Sequence, residues 1–330
     1  MKIAVFSVKP YEKEFLDKFN DEAKHDLHYF EESLNAHTTN LAEGFEAVCV
    51  FVSDRIDKGV ISKLAQLGVK LIDLRSAGFN NVDIEAAAEQ QIKVLRVPAY
   101  SPQAVAEHAV ALILTLNRKT HKAYNRVREG NFSVENLMGF NLFGKTVGVI
   151  GTGKIGVAFC QIMQGFGCKI VAYDIQESDA LKAKGIIYKP LIEVLEEADI
   201  VSLHCPLTPE TSQIINTTTL SKMKEGAMLI NTSRGGLIKT AQVIEALKSG
   251  HLGYLGIDVY EQEEKLFFKD LSESIIQDDV IERLMGFHNV LITPHQGFFT
   301  KEAMDEIAET TLKNFSDFES GLSSDNEVKI

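Results

Sequence analysis

The chain has 330 residues, more than one ordinary hydrophobic core accommodates, and 45% of them are hydrophobic, enough to fill two. Its net charge of −12 argues against nucleic acid and anionic membranes as partners, so an anionic substrate needs a local arginine or lysine to overcome the global field. The four cysteines, Cys49, Cys160, Cys168 and Cys205, share no CxxC or other metal spacing and lie mostly in apolar segments, as reduced thiols in a cytoplasm do. Met1-Lys2 leads straight into a strand-like run, and no apolar run reaches the length of a membrane span, so a cytoplasmic chain without leader or anchor is expected.

Ile3 to Phe6, Leu27 to Phe30, Ala47 to Val52, Lys70 to Leu74 and Lys93 to Leu95 are short apolar runs. The helix-like Glu12 to Asn20, Ile56 to Leu67 and Ile84 to Gln90 separate most of them. Alternation of this kind predicts βαβ units and a mostly parallel sheet, hence a small doubly wound, flavodoxin-like domain over residues 1–100. Ligands of such sheets collect at the carboxyl ends of the strands. Phe51-Val-Ser-Asp54, Arg75-Ser-Ala-Gly-Phe-Asn-Asn81 and Val97-Pro-Ala-Tyr100 are therefore candidates for one wall of a cleft.

Ser101-Pro102 carries the signature of a helix start, a capping serine with proline at the first position. The stretch to about Arg128 contains no glycine or further proline, which predicts one long helix or two abutting ones. Ala106, Ala109, Val110, Ile113, Leu114 and Leu116 form an apolar band on it, read as a strut between two domains with a side left for a neighbouring subunit. Asn125 to Phe143 is more polar and irregular.

Thr146 to Ile150 then reads as a buried strand that runs without a gap into Gly151-Thr-Gly-Lys-Ile-Gly156. Gly151 permits a tight turn, Gly153 lets a pyrophosphate approach the backbone, and Gly156 lets the helix from about Lys154 to Phe166 pack on the strand. The phosphates would sit on that helix's N-terminus, where free N–H groups favour an anion. A second strand, Cys168 to Tyr173, ends at Asp174, placed to accept hydrogen bonds from the ribose 2′-hydroxyl of NAD and to repel the 2′-phosphate of NADP.

Beyond it, helices over 178–184, 190–196, 218–223 and 240–248 alternate with strands over 199–204, 227–231, 254–258 and 289–293, completing a Rossmann sheet of six or seven strands. Glu261 to Phe287 is charged and reads as an irregular surface wrap. Thr300 to Glu319 reads as an amphipathic helix with Ala303, Ile307, Ala308, Leu312 and Phe315 on one face. Because the Rossmann unit is already complete, that helix is expected to return to the first domain. The expected organisation is thus a discontinuous substrate domain, 1–100 with 299–330, into which an NAD-binding domain, 101–298, is inserted.

Three charged residues follow predicted strands of the cofactor domain: Arg234, Glu263 and His295. Arginine offers a rigid fork for a carboxylate, and histidine exchanges a proton near neutral pH, in a form that an adjacent carboxylate favours. Singly, each has an ordinary reading as a solvated arginine, a charged face or a structural histidine. Together at one sheet edge they suit a 2-oxo acid: the carboxylate docks on Arg234, hydride reaches C2 from NADH, and His295 protonates the alkoxide. His108, on the 102–128 helix, is the rival acid, for which a packing role is expected. His204-Cys205-Pro206 has the types for zinc, but no further ligand cluster accompanies it, so no metal is expected there and a contact with the nicotinamide half is preferred. Tyr100, Phe51 and Phe299 read equally as core aromatics or as lining for the substrate side chain.

Assembled, these motifs resemble the D-isomer-specific 2-hydroxyacid dehydrogenases end to end, most like the fermentative D-lactate dehydrogenases among them. The resemblance rests on Arg75-Ser-Ala-Gly-Phe-Asn-Asn81, Val97-Pro-Ala-Tyr-Ser101, Val149-Ile-Gly-Thr-Gly-Lys-Ile-Gly156, Leu203-His-Cys-Pro-Leu-Thr208, Asn231-Thr-Ser-Arg-Gly235, Asp258-Val-Tyr-Glu261 and Thr293-Pro-His295. It implies that Arg234 binds the substrate carboxylate, Glu263 tunes the histidine and His295 donates the proton. It also implies NAD contacts at Gly151, Gly153, Lys154, Ile155, Gly156, Asp174, Cys205, Pro206, Thr211, Thr232, Ser233 and Asp258. Ala77 and Gly78 would offer N–H groups to the carboxylate, Tyr100 would touch substrate, and the cleft between the domains would close over it. A homodimer or homotetramer built on the interdomain helices, acting on pyruvate and D-lactate, is what the resemblance implies. Cys205-Pro206 and Phe298-Phe299 depart from the Val-Pro and Phe-Tyr of lactobacillar members, which keeps open a bulkier 2-oxo acid such as 2-oxoisocaproate, or hydroxypyruvate or glyoxylate. A dinucleotide-sensing, corepressor-like protein on the same fold also stays open.

Overall fold

The computed structural model describes residues 1–263 and 266–329. The chain divides into two compact units, Met1–Ser101 with Phe298–Ile330, and Pro102–Gly297.

In the first unit, strands β1 (Lys2–Val5), β2 (Asp26–Tyr29), β3 (Ala47–Val50), β4 (Leu71–Leu74) and β5 (Lys93–Arg96) form one parallel sheet in the order β2-β1-β3-β4-β5. Every residue of β3 and β4 is buried, the continuous apolar pattern of strands covered on both faces, while the edge strand β2 is only half-buried. Helices α1 (Pro10–Ala23), α2 (Lys58–Gln66) and α3 (Ile84–Glu89) make the crossovers. Side chains of Asp57 and Asp83 cap α2 and α3 by accepting their first free N–H groups. The helix Lys301–Glu319, capped by Thr300, packs on α1, and its Ala308, Leu312 and Phe315 join Ile3, Val5 and Leu16 in one core.

The second unit carries α4 (Pro102–Arg118), α5 (Thr120–Arg128), β6 (Thr146–Ile150), α6 (Lys154–Gly165), β7 (Lys169–Tyr173), α7 (Asp179–Ala183), β8 (Ile187–Tyr188), α8 (Leu191–Glu197) and β9 (Ile200–Leu203). It continues with α9 (Thr217–Leu220), β10 (Ala227–Asn231), α10 (Thr240–Ser249), β11 (Leu252–Ile257), α11 (Asp279–Met285) and β12 (Val290–Ile292). The seven strands are parallel in the order β12-β11-β10-β9-β6-β7-β8. This is a doubly wound α/β sheet whose order reverses between β6 and β9, the place where such sheets bind ligands. Register aligns the strand ends: Ile150 pairs with Tyr173 and Leu203, Asn231 with Leu203 and Ile257, and Ile257 with Ile292. Gly151, His204, Thr232, Asp258 and Thr293, each one residue further on, consequently leave the sheet along a single edge.

Over 102–128 the second of the two expected forms is found, abutting helices that break where Lys119 takes a left-handed φ of 50°. Two expectations need correction. The apolar band of α4 is not left for a neighbour: Ala106, Ala109, Val110, Ile113 and Leu116 are buried in the second unit's own core beneath α6 and β10. Large exposed apolar side chains occur instead on α5 and the stretch after it, at Tyr124, Phe132, Met138 and Phe143. The 261–287 stretch holds a regular helix, α11, with Asp278 as its cap and Ile281 and Leu284 in the core; its two turns were hidden by the surrounding acids, of which Glu264 lies outside the described residues. No helix among the described residues is long and apolar enough to cross a membrane.

Candidate active site

The glycine turn after β6 follows from steric necessity. Gly151 has φ +94°, and a Cβ there would stand 2.4 Å from the backbone nitrogen of Cys205; a Cβ on Gly156 would stand 2.1 Å from the Gly151 carbonyl. Neither position accepts a side chain. At Gly153 nothing lies within 4 Å of a built Cβ, so the backbone there borders open space, and Lys154 and Ile155 begin α6 without a side-chain cap on its free N–H groups. An open, uncapped helix start fits a pyrophosphate. Asp174, one residue past β7, holds the turn through Oδ2, which accepts from Thr152 N at 2.5 Å and Thr152 Oγ1 at 3.0 Å.

Further along the edge, Thr211 Oγ1 donates to the Pro206 carbonyl at 2.6 Å and Ser233 Oγ donates to the Cys205 carbonyl at 2.7 Å, gathering the segments after β9 and β10. The hydroxyl of Thr232 is buried and has no hydrogen-bond partner within the chain. An orphaned hydroxyl beside an open glycine turn is what a polar cofactor would satisfy, and these residues fit NAD. Burial pushes the pKa of His204 down to about 3, so this imidazole is neutral at physiological pH and is no rival proton donor. The same cause pushes the Cys205 thiol up to about 11.

Arg234, Glu263 and His295 stand beyond β10, β11 and β12, three neighbours in the sheet. Arg234 is half-buried, and its Nη1 donates to the Ser233 carbonyl at 2.7 Å, fixing one arm of the fork. Glu263 Oε2 accepts from Tyr260 N at 3.0 Å, which aims Oε1 at His295 Nδ1, 3.0 Å away. With Nδ1 donating to this carboxylate, Nε2 is the ring atom available to another molecule. The side chains keep 17% and 23% of their exposure, enough for a small ligand to reach the ring. His295 itself takes φ +56°, a conformation uncommon outside glycine.

Asp258 also supports the turn that carries His295: its buried carboxylate accepts from the Thr293 hydroxyl, from Gln296 N at 2.9 Å and from Gly297 N at 2.7 Å. His108 differs from its sequence reading: its Nε2 lies 3.0 Å from Thr293 Oγ1 and 3.2 Å from Asp258 Oδ1, a polar network in place of simple packing.

Within the first unit, the other candidates occupy the carboxyl edge of its sheet. Ala77 and Gly78 follow β4, with their carbonyls accepting from Arg96 Nη1 at 2.6 Å and Ser76 Oγ at 2.9 Å. Phe51 is buried, Tyr100 is half-buried, and both rings lie within 6.3 Å of the Phe298 ring. Phe299 is half-exposed and meets Tyr11 edge-on at 4.7 Å. Two supporting residues escaped the sequence reading. Asp54, buried, accepts from Phe51 N, Leu34 N and Ser7 Oγ at 2.6–2.7 Å. Arg75, 2% exposed, pairs with Glu12 at 3.2 Å, donates to the Phe6 carbonyl at 3.1 Å and lies over the Phe51 ring. Both belong to motifs already singled out, but nothing in a sequence says that a charged residue at a strand end is buried and satisfied.

Residues 110–297 match the family described as D-isomer specific 2-hydroxyacid dehydrogenase, NAD binding domain. The chain is 50% identical over 328 residues to D-lactate dehydrogenase of Escherichia coli (strain K12), covering 99% of this chain and 100% of that one. It is equally identical, over 99% of both chains, to a 2-hydroxyacid dehydrogenase homolog of Haemophilus influenzae. Among solved structures, the pyruvate reductase of Chlamydomonas reinhardtii superposes with a TM-score of 0.93 at 46% identity, covering 99% of this chain and 98% of that one.

Proposed function

Since the chain belongs to the D-isomer-specific 2-hydroxyacid dehydrogenases, we propose that it is an NAD-dependent D-lactate dehydrogenase interconverting pyruvate and D-lactate. The observation that carries this reading is the 3.0 Å contact between Glu263 Oε1 and His295 Nδ1, made on the sheet edge that also presents Arg234. Arg234 holds the substrate carboxylate with the arm of its fork not given to Ser233. His295, turned by Glu263, directs Nε2 at the carbonyl oxygen and gives it a proton as the alkoxide forms. NADH, when bound, supplies the hydride to the carbonyl carbon. Gly151, Gly153 and Gly156, with Lys154 and Ile155, cradle its phosphates, and Asp174 selects the unphosphorylated ribose. Cys205, Pro206, Thr211, Thr232, Ser233 and Asp258 line the rest of the cofactor's path.

In the same reading, Ala77 and Gly78 offer N–H groups to the substrate carboxylate, while Tyr100, Phe51 and Phe299 select its side chain. The protein works as a homodimer or homotetramer, for which the exposed Tyr124, Phe132, Met138 and Phe143 supply apolar contact area. It resides in the cytoplasm, where its four buried cysteines stay reduced.

Initial rates of NADH oxidation with pyruvate, 2-oxoisocaproate, hydroxypyruvate and glyoxylate test the assignment. Pyruvate is expected to give the highest kcat/KM, by about tenfold or more over the branched acid, since each misplaced methylene changes transition-state binding by about 1–3 kcal/mol. A higher value for the bulkier acid moves the substrate assignment within the family. Tight NADH binding with turnover of none of the four overturns the enzymatic reading in favour of a sensor.

A further inference from the structure

His295 is held in a left-handed conformation that an ordinary side chain does not favour, and the turn that imposes it is gripped on both sides by one carboxylate. Asp258 Oδ1 takes the Thr293 hydroxyl two residues before the histidine and the Gln296 amide one residue after it; Oδ2 takes the Gly297 amide. A strained residue persists only where its surroundings over-determine it. The grip depends on the Thr293 side chain keeping one rotamer, with its hydroxyl hydrogen pointed at Asp258.

His108 sets that rotamer. Because the Thr293 hydroxyl donates to Asp258, its oxygen can only accept from His108, whose Nε2 at 3.0 Å must therefore carry the hydrogen. The same N–H lies 3.2 Å from Asp258 Oδ1, and the ring retains 15% of its exposure against 2% for Asp258. Its Cδ2 would stand 3.4 Å from a Cβ on Gly297, so the ring also closes against the far side of the turn. One relay thus runs from α4 through the end of β12 to the end of β11 and back to the backbone on either side of His295. Resting on the function proposed above, we infer that His108 is a positioning residue for the proton donor: its Nε2–H fixes Thr293 and Asp258, and through them the direction of the His295 imidazole.

Two variants separate this role from simple packing. His108→Leu fills the space and removes the donor, whereas His108→Gln returns an N–H at a similar reach. In His108→Leu, single-turnover pyruvate reduction is expected to slow about 10- to 100-fold, the order of loss that a misdirected catalytic group produces. KM for pyruvate, carried mainly by Arg234, and the NADH dissociation constant, read by cofactor fluorescence, should stay within about twofold, far less than the change in rate. His108→Gln should recover most of the rate. Wild-type turnover with an unchanged rate in His108→Leu sinks the inference and leaves the function standing. Equal losses in both variants, or a loss carried by NADH affinity, also overturn it. A wild-type chain that reduces no 2-oxo acid removes the function and this inference together.

Discussion

Replacing His295 with Asn lowers kcat for pyruvate reduction by about 10²- to 10⁴-fold, the usual contribution of a positioned acid. Asparagine occupies much the same space and tolerates the left-handed φ of +56° better than most residues, so the turn held by Asp258 survives the change. The loss is then chemical. Stopped-flow measurement at saturating NADH and pyruvate reads it, alongside the dependence of the rate on pH. With the imidazole gone, the limb of the pH profile that reports the essential proton in the reduction direction should flatten, while NADH binding stays intact. A variant that keeps both its rate and its pH profile would exclude His295 as the donor.

Arg234→Gln is expected to fail differently. A guanidinium fork on a carboxylate makes two charge-assisted bonds worth about 1.5–3 kcal/mol each, so kcat/KM for pyruvate should fall by about 10²- to 10⁴-fold, mostly through KM. The chain's net charge of −12 sharpens this expectation, because an anion has little other reason to approach. Arg234→Lys keeps the charge but loses the planar fork and should fall between the two. The check is a steady-state titration with pyruvate. An unchanged KM in the Gln variant would remove Arg234 from the substrate.

The sheets and the cofactor turn were legible because they are written in local patterns. Apolar runs of β-branched residues mark strands buried on two faces, and the turn at Gly151 and Gly156 tolerates no other residue, so glycine spacing reports it directly. The alternation of those runs with helices was enough for two doubly wound sheets. Arg234, Glu263 and His295 could be placed at one edge because each follows a strand, and strand order does the rest.

What stayed hidden is long-range. The Glu12–Arg75 pair joins residues 63 apart in sequence, and His108 meets Thr293 across 185. No periodicity carries such contacts, so Arg75 read as part of a loop motif and His108 as packing. The helix α11 was obscured because its core face is only two residues, Ile281 and Leu284, in an acidic stretch. The band on α4 was visible, but a sequence cannot say whether such a face meets its own sheet or another chain.

Reduction requires Arg234 and His295 to act on one small keto acid at the same time. The most direct measurement is a crystal structure of the complex with NADH and oxamate, which keeps the carboxylate and carbonyl of pyruvate but is not reduced. The prediction is the oxamate carboxylate on the Arg234 guanidinium and its carbonyl oxygen within hydrogen-bond reach of His295 Nε2, with Nδ1 still on Glu263. Oxamate bound away from either side chain, or His295 turned so that Nε2 faces elsewhere with the inhibitor in place, would contradict it.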